Sequence, residues 1–356
     1  MAEEQLLNVW DYERTAEERL EPAAFGYFAG GANDEWSLRE NLEAFRRWVL
    51  RPRMLVDVAE VTTATTVLGA ELSMPLIVAP VAFQRMAHPD GEAAMARGAA
   101  AAGTLMCLST LATATIEDVA AAAPGAPRWF QLYWAKDRGV VTDMLERAAA
   151  EGYGAVMLTI DLPELGRRER DLRLGFAIPE EIPVPAFLAL AEEAGGFSPE
   201  DINWAVDKSL TWHDLGWLRS ATSLPLLVKG ILTAEDAVLA CEAGVEGIVV
   251  SNHGGRQLDG VAASLDALPE VVEAVGDRAA VLMDGGIRRG TDVVKALALG
   301  AQAVLVGRAP LWGLAVGGAE GVQRVLELLK DELQLALALC GCASPADVSR
   351  SHVGRV

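Results

Sequence analysis

Short runs of apolar residues, rich in β-branched side chains, recur along most of this chain. Each run stops at glycine or at polar residues, and a segment rich in Ala, Leu and Glu follows, which is the pattern of a strand succeeded by a helix. Their near-continuous apolar character predicts parallel strands covered on both faces. The eight predicted strands are Leu76–Ala79, Thr104–Leu108, Trp129–Tyr133, Ala155–Ile160, Leu226–Lys229, Gly247–Ser251, Ala280–Asp284 and Ala303–Gly307.

The segments between these runs carry helix-start signals. Thr115 stands three residues before Asp118, and Thr233 stands three residues before Asp236, so each Thr can cap a first helical turn that contains acidic residues. Eight strand–helix units predict the α/β class and a closed (β/α)8 TIM barrel. Barrels of this kind reach 356 residues as one unit, so we expect a single domain over residues 1–356.

Two segments depart from the strand–helix alternation. Residues 1–70 precede the first predicted strand, and we expect them to form an N-terminal helical cap with a small hairpin. Residues 166–212 form a long insertion after the fourth strand. A long loop that leaves the carboxyl end of a barrel strand lies over the active site, so we interpret this insertion as a lid.

Composition removes several classes of function. The net charge of −20 argues against nucleic acid as a partner, because phosphate binding needs clustered Lys and Arg. The acidic first residues do not form a secretory signal and no segment has the Leu, Ile and Phe density of a membrane span, so we expect a cytoplasmic protein without a membrane partner. The four cysteines and four histidines show no metal-ligand spacing, so we expect reduced thiols and no metal.

Polar residues and glycines stand at almost every predicted strand end, where the catalytic groups of a barrel are placed. In chain order these ends are Ala79-Pro80, Ser109, Gln131 with Tyr133, Thr159 with Asp161, Lys229, Ser251-Asn252-His253, Asp284-Gly285-Gly286 and Gly307-Arg308. The last two ends, with Arg288 nearby, predict a phosphate site built from backbone N–H groups and guanidinium groups. The alternative is that these glycines only make tight turns.

The strongest chemical signal is the segment from Ser251 to Asp259, SNHGGRQLD. His253 and Arg256 are three residues apart on a glycine-bearing loop, so both side chains can face one space. An imidazole can take a proton near neutral pH, and a guanidinium can hold a carboxylate through two parallel hydrogen bonds. The pair predicts a site for a hydroxy acid, although a structural histidine is the alternative.

The sequence resembles the FMN-dependent 2-hydroxy-acid oxidase family, which includes glycolate oxidase, lactate oxidase, mandelate dehydrogenase and the flavin domain of flavocytochrome b2. The resemblance runs over nearly the whole chain. Its motifs are Tyr27-Phe-Ala-Gly-Gly-Ala32, Arg51-Pro-Arg53, Phe130-Gln-Leu-Tyr133, Thr159-Ile-Asp161, Val228-Lys-Gly230, the SNHGGRQLDG loop and the closing SRSH.

The resemblance implies a catalytic set. His253 is the expected base, with Asp161 stabilising its imidazolium form, and Lys229 is expected to stabilise the reduced flavin. The implied substrate-binding residues are Tyr27, Tyr133, Arg168, His253 and Arg256, and Tyr133 and Lys229 are counted as catalytic as well. FMN is the implied cofactor, and its expected contacts are Ala79, Pro80, Val81, Ala82, Ser109, Gln131, Thr159, Lys229, Ser251, Asp284, Gly285, Gly286, Arg288, Gly307 and Arg308.

Three positions depart from glycolate oxidase. Leu111 replaces a large tryptophan of the substrate's side-chain pocket, so we expect L-lactate or a larger L-2-hydroxy acid. Trp134 stands at an aliphatic position, and Leu162-Pro163-Glu164 replaces a Thr-Pro-Arg segment. Both lie near the expected entrance of the site, so we expect them to influence specificity.

Several alternatives stay open at this stage. No haem segment precedes the barrel, so O2 is the expected electron acceptor, with a dehydrogenase or a monooxygenase, including one for an aryl acid such as mandelate, as the alternative. The family resemblance implies a homotetramer or a homo-octamer. There are three further hypotheses: an aldolase-like barrel with Lys229 as Schiff-base nucleophile, an inactive binding scaffold and a flavin-dependent isomerase.

Overall fold

A closed barrel of eight parallel strands forms the centre of the molecule. The computed structural model describes residues 5–185 and 206–356. The strands are β1 (Trp48–Leu50), β2 (Thr65–Val67), β3 (Ala70–Leu72), β4 (Leu76–Val78), β5 (Met106–Leu108), β6 (Arg128–Leu132), β7 (Val156–Thr159), β8 (Leu226–Ile231), β9 (Gly247–Val250), β10 (Ala280–Asp284), β11 (Ala303–Val306) and β12 (Val353–Arg355). Strands β4 to β11 follow one another around the barrel, which closes where β11 pairs with β4.

Helices lie outside the barrel and between successive strands. Those of the described chain are α1 (Val9–Arg19), α2 (Pro22–Ala29), α3 (Trp36–Arg46), α4 (Gly91–Ala101), α5 (Ile116–Ala122), α6 (Arg138–Ala150), α7 (Glu169–Leu174), α8 (Asp214–Ala221), α9 (Ala234–Glu242), α10 (Ser264–Val275), α11 (Gly290–Ala298) and α12 (Arg308–Cys340). The (β/α)8 prediction is confirmed, and all eight strands lie within two residues of their predicted bounds.

The two predicted helix starts occur where Thr caps a first turn. The Thr115 hydroxyl accepts from the backbone N–H of Asp118 at 3.0 Å and begins α5. The Thr233 hydroxyl accepts from the backbone N–H of Asp236 at 3.3 Å and begins α9. Each cap satisfies an N–H group that the helix itself cannot pair.

The N-terminal segment packs at both ends of the barrel. The β2–β3 hairpin places Val67 and Leu72 in the cluster of side chains that fills the barrel interior, and Ser73 after it bonds to Gly103, close to the start of β5. The hairpin therefore covers the end at which the strands begin. Helices α2 and α3 pack at the opposite end, where α2 contacts α7 and α3 contacts the turn at His253–Gly255.

The predicted lid, residues 166–212, is described in part. Helix α7 packs against α2, and Phe176 stacks on Tyr27 with ring centroids 4.3 Å apart. Residues 186–205 lie outside the described residues, and the lid role stays a prediction. Within residues 5–185 and 206–356, no helix combines the length and the apolar character that crossing a membrane requires.

A reciprocal amide pair fastens α3 to the barrel rim. Asn41 donates to Asn252 at 2.8 Å, and Asn252 donates back at 2.9 Å. Asn252 also accepts from the N–H of Gly255 at 3.1 Å and donates to the carbonyl of Ala262 at 3.2 Å, so its amide has one orientation. The pair thus fixes the backbone turn that presents His253.

Replacing Asn41 by Ala is expected to lower the free energy of unfolding by about 2 kcal/mol, because a buried amide loses its partner. Urea denaturation of the two proteins measures the difference. The matched substitution Arg46→Ala removes an exposed side chain of the same helix and is expected to change stability by less than about 0.5 kcal/mol. Equal losses in the two variants would contradict a special role for the amide pair.

Candidate active site

The inward-facing positions of the barrel change from apolar to polar as the strands approach their carboxyl ends. Alternate residues of a strand face the same side, so the residue two places after an interior apolar side chain also faces inward. The apolar residues belong to the cluster that fills the barrel, and the polar residues that follow them are buried. The successive pairs are Cys107 and Ser109, Trp129 and Gln131, Met157 and Thr159, Leu227 and Lys229, Val249 and Ser251, and Leu282 and Asp284.

A pocket opens above this polar layer, with about 1080 Å³ of empty space including its mouth. Asp161 and Ser251, from the predicted set, do not line it. The predicted residues that do are Tyr27, Ala79, Pro80, Val81, Ala82, Ser109, Leu111, Gln131, Tyr133, Thr159, Arg168, Lys229, His253, Arg256, Asp284, Gly285, Gly286, Arg288, Gly307 and Arg308.

His253 is held at the pocket wall by Asp161. Its Nδ1 lies 2.8 Å from Oδ1 of Asp161, which leaves Nε2 as the nitrogen available to a ligand. His253 has a φ of +58°, and its backbone N–H donates to the Ser251 hydroxyl at 3.0 Å. Gly254 and Gly255, with φ of +65° and +77°, continue the turn in a region that favours glycine. The sequence of the loop therefore sets the direction of the imidazole.

The electrostatics of the pair suit a proton acceptor. Burial lowers the pKa of His253, and the Lys229 charge adds to this, against the opposing effect of Asp161. Burial on its own would raise the pKa of Asp161, but His253 and Lys229 together hold it below its usual value. At neutral pH the carboxylate is therefore charged and the imidazole is neutral, the form that can take up a proton.

Lys229 is a buried cation between two carboxylates. Its Nζ lies 3.1 Å from Asp284 Oδ2 and donates to the Ser251 hydroxyl at 2.9 Å. Burial alone would lower the pKa of Lys229, but Asp284 and Asp161 raise it above its usual value. A Schiff-base nucleophile must be a neutral amine, so this environment argues against the aldolase-like reading. It supplies a fixed positive charge instead.

Two arginines and two tyrosines also line the pocket. The Arg256 guanidinium lies 4.6 Å from the centre of the Tyr27 ring and donates to the carbonyls of Tyr27 and Gly30. Burial, together with the neighbouring Arg256 charge, lowers the pKa of Arg168 to about 10. Burial also raises the pKa of Tyr133, so its phenol stays a hydrogen-bond donor. Two adjacent cations suit an anionic ligand group.

A second concentration of positive charge lies at the ends of β10 and β11. Arg308 donates to the carbonyls of Phe28, Gly254 and Gly30 at 2.9, 3.1 and 2.8 Å, and burial lowers its pKa to about 9. Arg288 lies 3.6 Å from Glu13, and its Nε is buried without a hydrogen-bond partner among the described residues. Both guanidinium groups can therefore hold a phosphate.

The glycines at this end have two functions. Gly285 and Gly286 line the pocket, yet a Cβ on Gly286 would lie 1.9 Å from the Asn41 carbonyl, and one on Gly285 would lie 3.2 Å from the Asn41 amide. Their φ values of +93° and +82° also favour glycine. Glycine is therefore needed at these two positions for structural reasons, namely the close packing of α3 and the positive φ. The alternative that these glycines make tight turns accounts for part of the pattern.

The polar layer fits a flavin phosphate ester. Gln131 Nε2 and Asp284 Oδ1 are buried without hydrogen-bond partners in the described residues, and both side chains line the pocket. Buried polar atoms without partners are costly, so a ligand with ring donors and acceptors would satisfy them. The pocket therefore offers hydrogen bonds for a planar ring, and Arg288 and Arg308 in its lining offer cations for a phosphate.

Sequence reasoning missed the apolar part of the wall. Phe28, Leu165, Ile287 and Leu311 line the pocket, and no chemical signal distinguishes them from core residues in the sequence, whereas Leu162, expected near the entrance, lines it as well. Trp134, expected near the entrance, does not line this pocket. It is buried instead beside Trp217, with ring centroids 5.4 Å apart, and lines a neighbouring cavity.

Known proteins share this architecture. The model of the FMN-dependent dehydrogenase family matches residues 16–355. Glycolate oxidase 3 of Arabidopsis thaliana is 50% identical over 98% of this chain and 96% of its own length, and glycolate oxidase of Spinacia oleracea is 48% identical over the same shares. A crystal structure of mandelate oxidase has a TM-score of 0.90 at 43% identity and covers 99% of each chain.

These likenesses extend over the barrel and over the segments that carry the pocket residues. The family model spans almost the whole chain, so its match includes His253 with Asp161, the buried Lys229 and the arginines of the pocket. The chain therefore belongs to the FMN-dependent dehydrogenase family, with FMN as its cofactor and FMN-dependent oxidation of 2-hydroxy acids as its class of reaction.

Proposed function

We propose that the enzyme oxidises an L-2-hydroxy acid of the size of L-lactate or larger to the 2-oxo acid, and that O2 is the electron acceptor and is reduced to H2O2. The observation that carries the proposal is the placement of His253 Nε2 in one pocket with Arg256 and Arg168. A base and a carboxylate-binding pair in one pocket match the two functional groups of a 2-hydroxy acid. In this proposal, residues 1–356 form a single FMN-binding domain.

The proposed roles follow from charge and position. Arg256 and Arg168 hold the substrate carboxylate, and the phenols of Tyr27 and Tyr133 donate to the substrate's oxygens. His253 Nε2 takes one proton from the H–C–O–H group, and Asp161 stabilises the imidazolium that results. FMN, when bound, would accept the two electrons that leave the substrate together with its second proton, whichever of the two hydrogens His253 takes. Lys229 supplies positive charge at the flavin and does not need to change protonation state.

Residues at each strand end would hold the cofactor. Backbone of Ala79, Pro80, Val81 and Ala82 with Ser109, Gln131 and Thr159 would contact the ring system, and Asp284, Gly285, Gly286, Arg288, Gly307 and Arg308 would hold the ribityl phosphate. Ser251 would act from beneath the pocket, because its hydroxyl accepts from Lys229 Nζ and from the His253 N–H.

The assembly and the location of the protein are also proposals. Met54, Leu55 and Val56 are exposed beside the end of α12, where Leu335 and Leu339 are exposed as well. A patch of this kind supports association into a homotetramer or a homo-octamer. The four cysteines are free thiols, which supports a reducing, cytoplasmic compartment.

Replacing His253 by Gln is expected to lower the rate constant of anaerobic flavin reduction by roughly 10²- to 10⁴-fold, because the proton acceptor is lost. The visible spectrum of bound FMN is expected to persist, because the ring contacts remain. Stopped-flow mixing with L-lactate measures the rate. An undiminished rate in this variant would remove His253 from the mechanism.

The pH dependence follows from the lowered pKa of His253. The base must be neutral, so kcat/KM is expected to fall as pH decreases through a pKa below the ordinary 6.5. Because Asp161 raises the pKa of His253, replacing Asp161 by Asn is expected to move the residual profile to still lower pH. If the acidic limb of the kcat/KM profile of the unmodified enzyme has a pKa above 6.5, a group other than His253 governs that limb.

Leu111 is expected to set the lower limit of substrate size. Leu111 is buried and lines the pocket with Leu162 and Leu165, so the wall beside it is apolar. We expect kcat/KM for L-lactate and L-mandelate to exceed that for glycolate. Leu111→Trp is expected to lower kcat/KM for L-mandelate roughly tenfold or more and to spare glycolate. A clear preference of the unmodified enzyme for glycolate would reject the size assignment.

Reoxidation of the reduced flavin by O2 can be measured separately from substrate oxidation. The enzyme is reduced anaerobically with L-lactate and then mixed with air-saturated buffer. We expect the flavin absorbance to recover faster than turnover, with H2O2 formed in amounts equal to the 2-oxo acid. Slow recovery, together with rapid recovery in the presence of a soluble quinone, would identify a dehydrogenase instead.

A further inference from the structure

A buried carboxylate on α4 lies between two loops of the active site. Glu92 belongs to the first turn of α4, and its side chain is fully buried. Its Oε1 accepts from the backbone N–H of Gln84 at 3.1 Å and from that of Thr113 at 2.9 Å, and its Oε2 accepts from the Thr113 hydroxyl at 2.5 Å. Gln84 lies on the loop after β4, and Thr113 lies on the loop after β5. The Glu92 side chain therefore joins the two loops.

The burial of Glu92 is costly and needs a reason. These donors to the carboxyl are neutral N–H and O–H groups, and burial raises the pKa of Glu92 above its usual value. A glutamate is seldom removed from water completely, because its solvation is lost and only good hydrogen bonds offset that loss. An apolar residue would avoid this cost, but it would leave the buried N–H groups of Gln84 and Thr113 without their acceptor. The connection between the loops is what the carboxyl group adds.

The loop after β4 connects Glu92 to the backbone of the pocket. Four consecutive residues of this loop, Ala79–Ala82, line the pocket. Gln84 Nε2 donates to the carbonyl of Val81 at 3.1 Å, so the residue that Glu92 holds also holds this segment. Phe83, which follows the segment, has a φ of +57°, a conformation that costs energy for a bulky residue and persists only where its surroundings fix it. The bond from the Gln84 N–H to Glu92 comes directly after this strained residue.

The loop after β5 connects Glu92 to the side-chain wall of the pocket. Leu111 lies on this loop and lines the pocket. The loop is bonded to the preceding one at two further points, where the backbone N–H of Phe83 donates to the Leu111 carbonyl at 3.1 Å and that of Arg85 donates to the Thr113 hydroxyl at 3.3 Å. The backbone expected to face the flavin ring and the side chain expected to limit substrate size therefore belong to one bonded unit.

We propose that Glu92 is a positioning residue for the flavin and for the substrate, which holds the loops after β4 and β5 together and so keeps Leu111 at a fixed distance from the backbone of Ala79–Ala82. The inference rests on the proposed function, which assigns these residues to the flavin and to the substrate. Glu92 does not line the pocket and acts only through the two loops. Loss of its carboxyl group is expected to weaken FMN binding and to loosen the wall at Leu111.

The first test is the Kd of FMN, measured from the flavin fluorescence that appears when the holoenzyme is diluted to equilibrium. Glu92→Ala is expected to raise this Kd at least tenfold, because the three hydrogen bonds between the loops are lost. Glu92→Gln keeps a carbonyl oxygen that can accept from both N–H groups, so it is expected to restore Kd to within about threefold of the unmodified enzyme.

The threonines of these loops offer a matched pair of variants. Thr113→Val removes the hydroxyl that donates to Glu92 and is expected to raise Kd roughly fivefold, while Thr113→Ser is expected to restore it. This pair carries the test if Glu92→Ala does not fold. Thr104→Val is the control, because the buried Thr104 hydroxyl donates to the Leu76 carbonyl at the amino ends of the same two strands. It is expected to lower stability to a similar degree and to leave Kd unchanged.

The second test concerns the substrate, at saturating FMN. The ratio of kcat/KM for L-lactate to that for glycolate is expected to fall at least threefold in Glu92→Ala, because Leu111 no longer has a fixed position. An unchanged Kd or an unchanged ratio in this variant, or equal increases of Kd in Thr113→Val and Thr104→Val, would overturn the positioning role.

The Kd measurement does not depend on turnover. If Kd follows the expected series while no 2-hydroxy acid reduces the flavin, the proposed function fails and the positioning of the flavin through Glu92 stands. If L-lactate reduces the flavin while Kd is the same in all variants, the positioning role fails alone.

Discussion

The pairing of buried charges at the top of the barrel is the constraint on which the rest of the site depends. Lys229 is removed from water and would be costly there without Asp284 at 3.1 Å and Asp161 nearby. Asp161 in turn is bonded to His253, and the Ser251 hydroxyl accepts from both Lys229 and the His253 backbone. The charges that stabilise one another also set the protonation states that the chemistry needs.

The segment before the barrel supplies much of the geometry of this layer. The last carbonyls of α2 have no partners within the helix, and they accept from Arg256 and Arg308. Helix α3 locks Asn252, next to His253, through Asn41. A helix end and an amide pair thereby orient groups that belong to loops of β9 and β11. The barrel sets the positions of these groups, and the N-terminal helices set the orientations of their side chains.

The proposed reaction and the proposed specificity rest on different parts of the molecule. In the proposed mechanism, proton transfer and cofactor binding use residues at the barrel strand ends, which a rigid parallel sheet holds in place. The proposed limit on substrate size rests on Leu111 and on the apolar residues beside the pocket, Leu162 and Leu165, which lie on the loops after those strands. Similarity to glycolate oxidases and to a mandelate oxidase is compatible with this division, because loops change more readily than the sheet beneath them.

The sequence by itself predicted the barrel, because eight apolar runs of strand length alternate with helical segments, and closing eight parallel strands leaves no exposed sheet edge. It also identified the polar strand ends, since glycine, His and Arg at those positions carry a chemical signal. Tertiary structure alone decided that Asn41 locks the His253 turn, that Gly286 accommodates α3, that Ser251 does not line the pocket and that Trp134 lines a neighbouring cavity. Those features depend on contacts between residues far apart in the chain, and apolar walls look the same in sequence whether they enclose a core or a cavity.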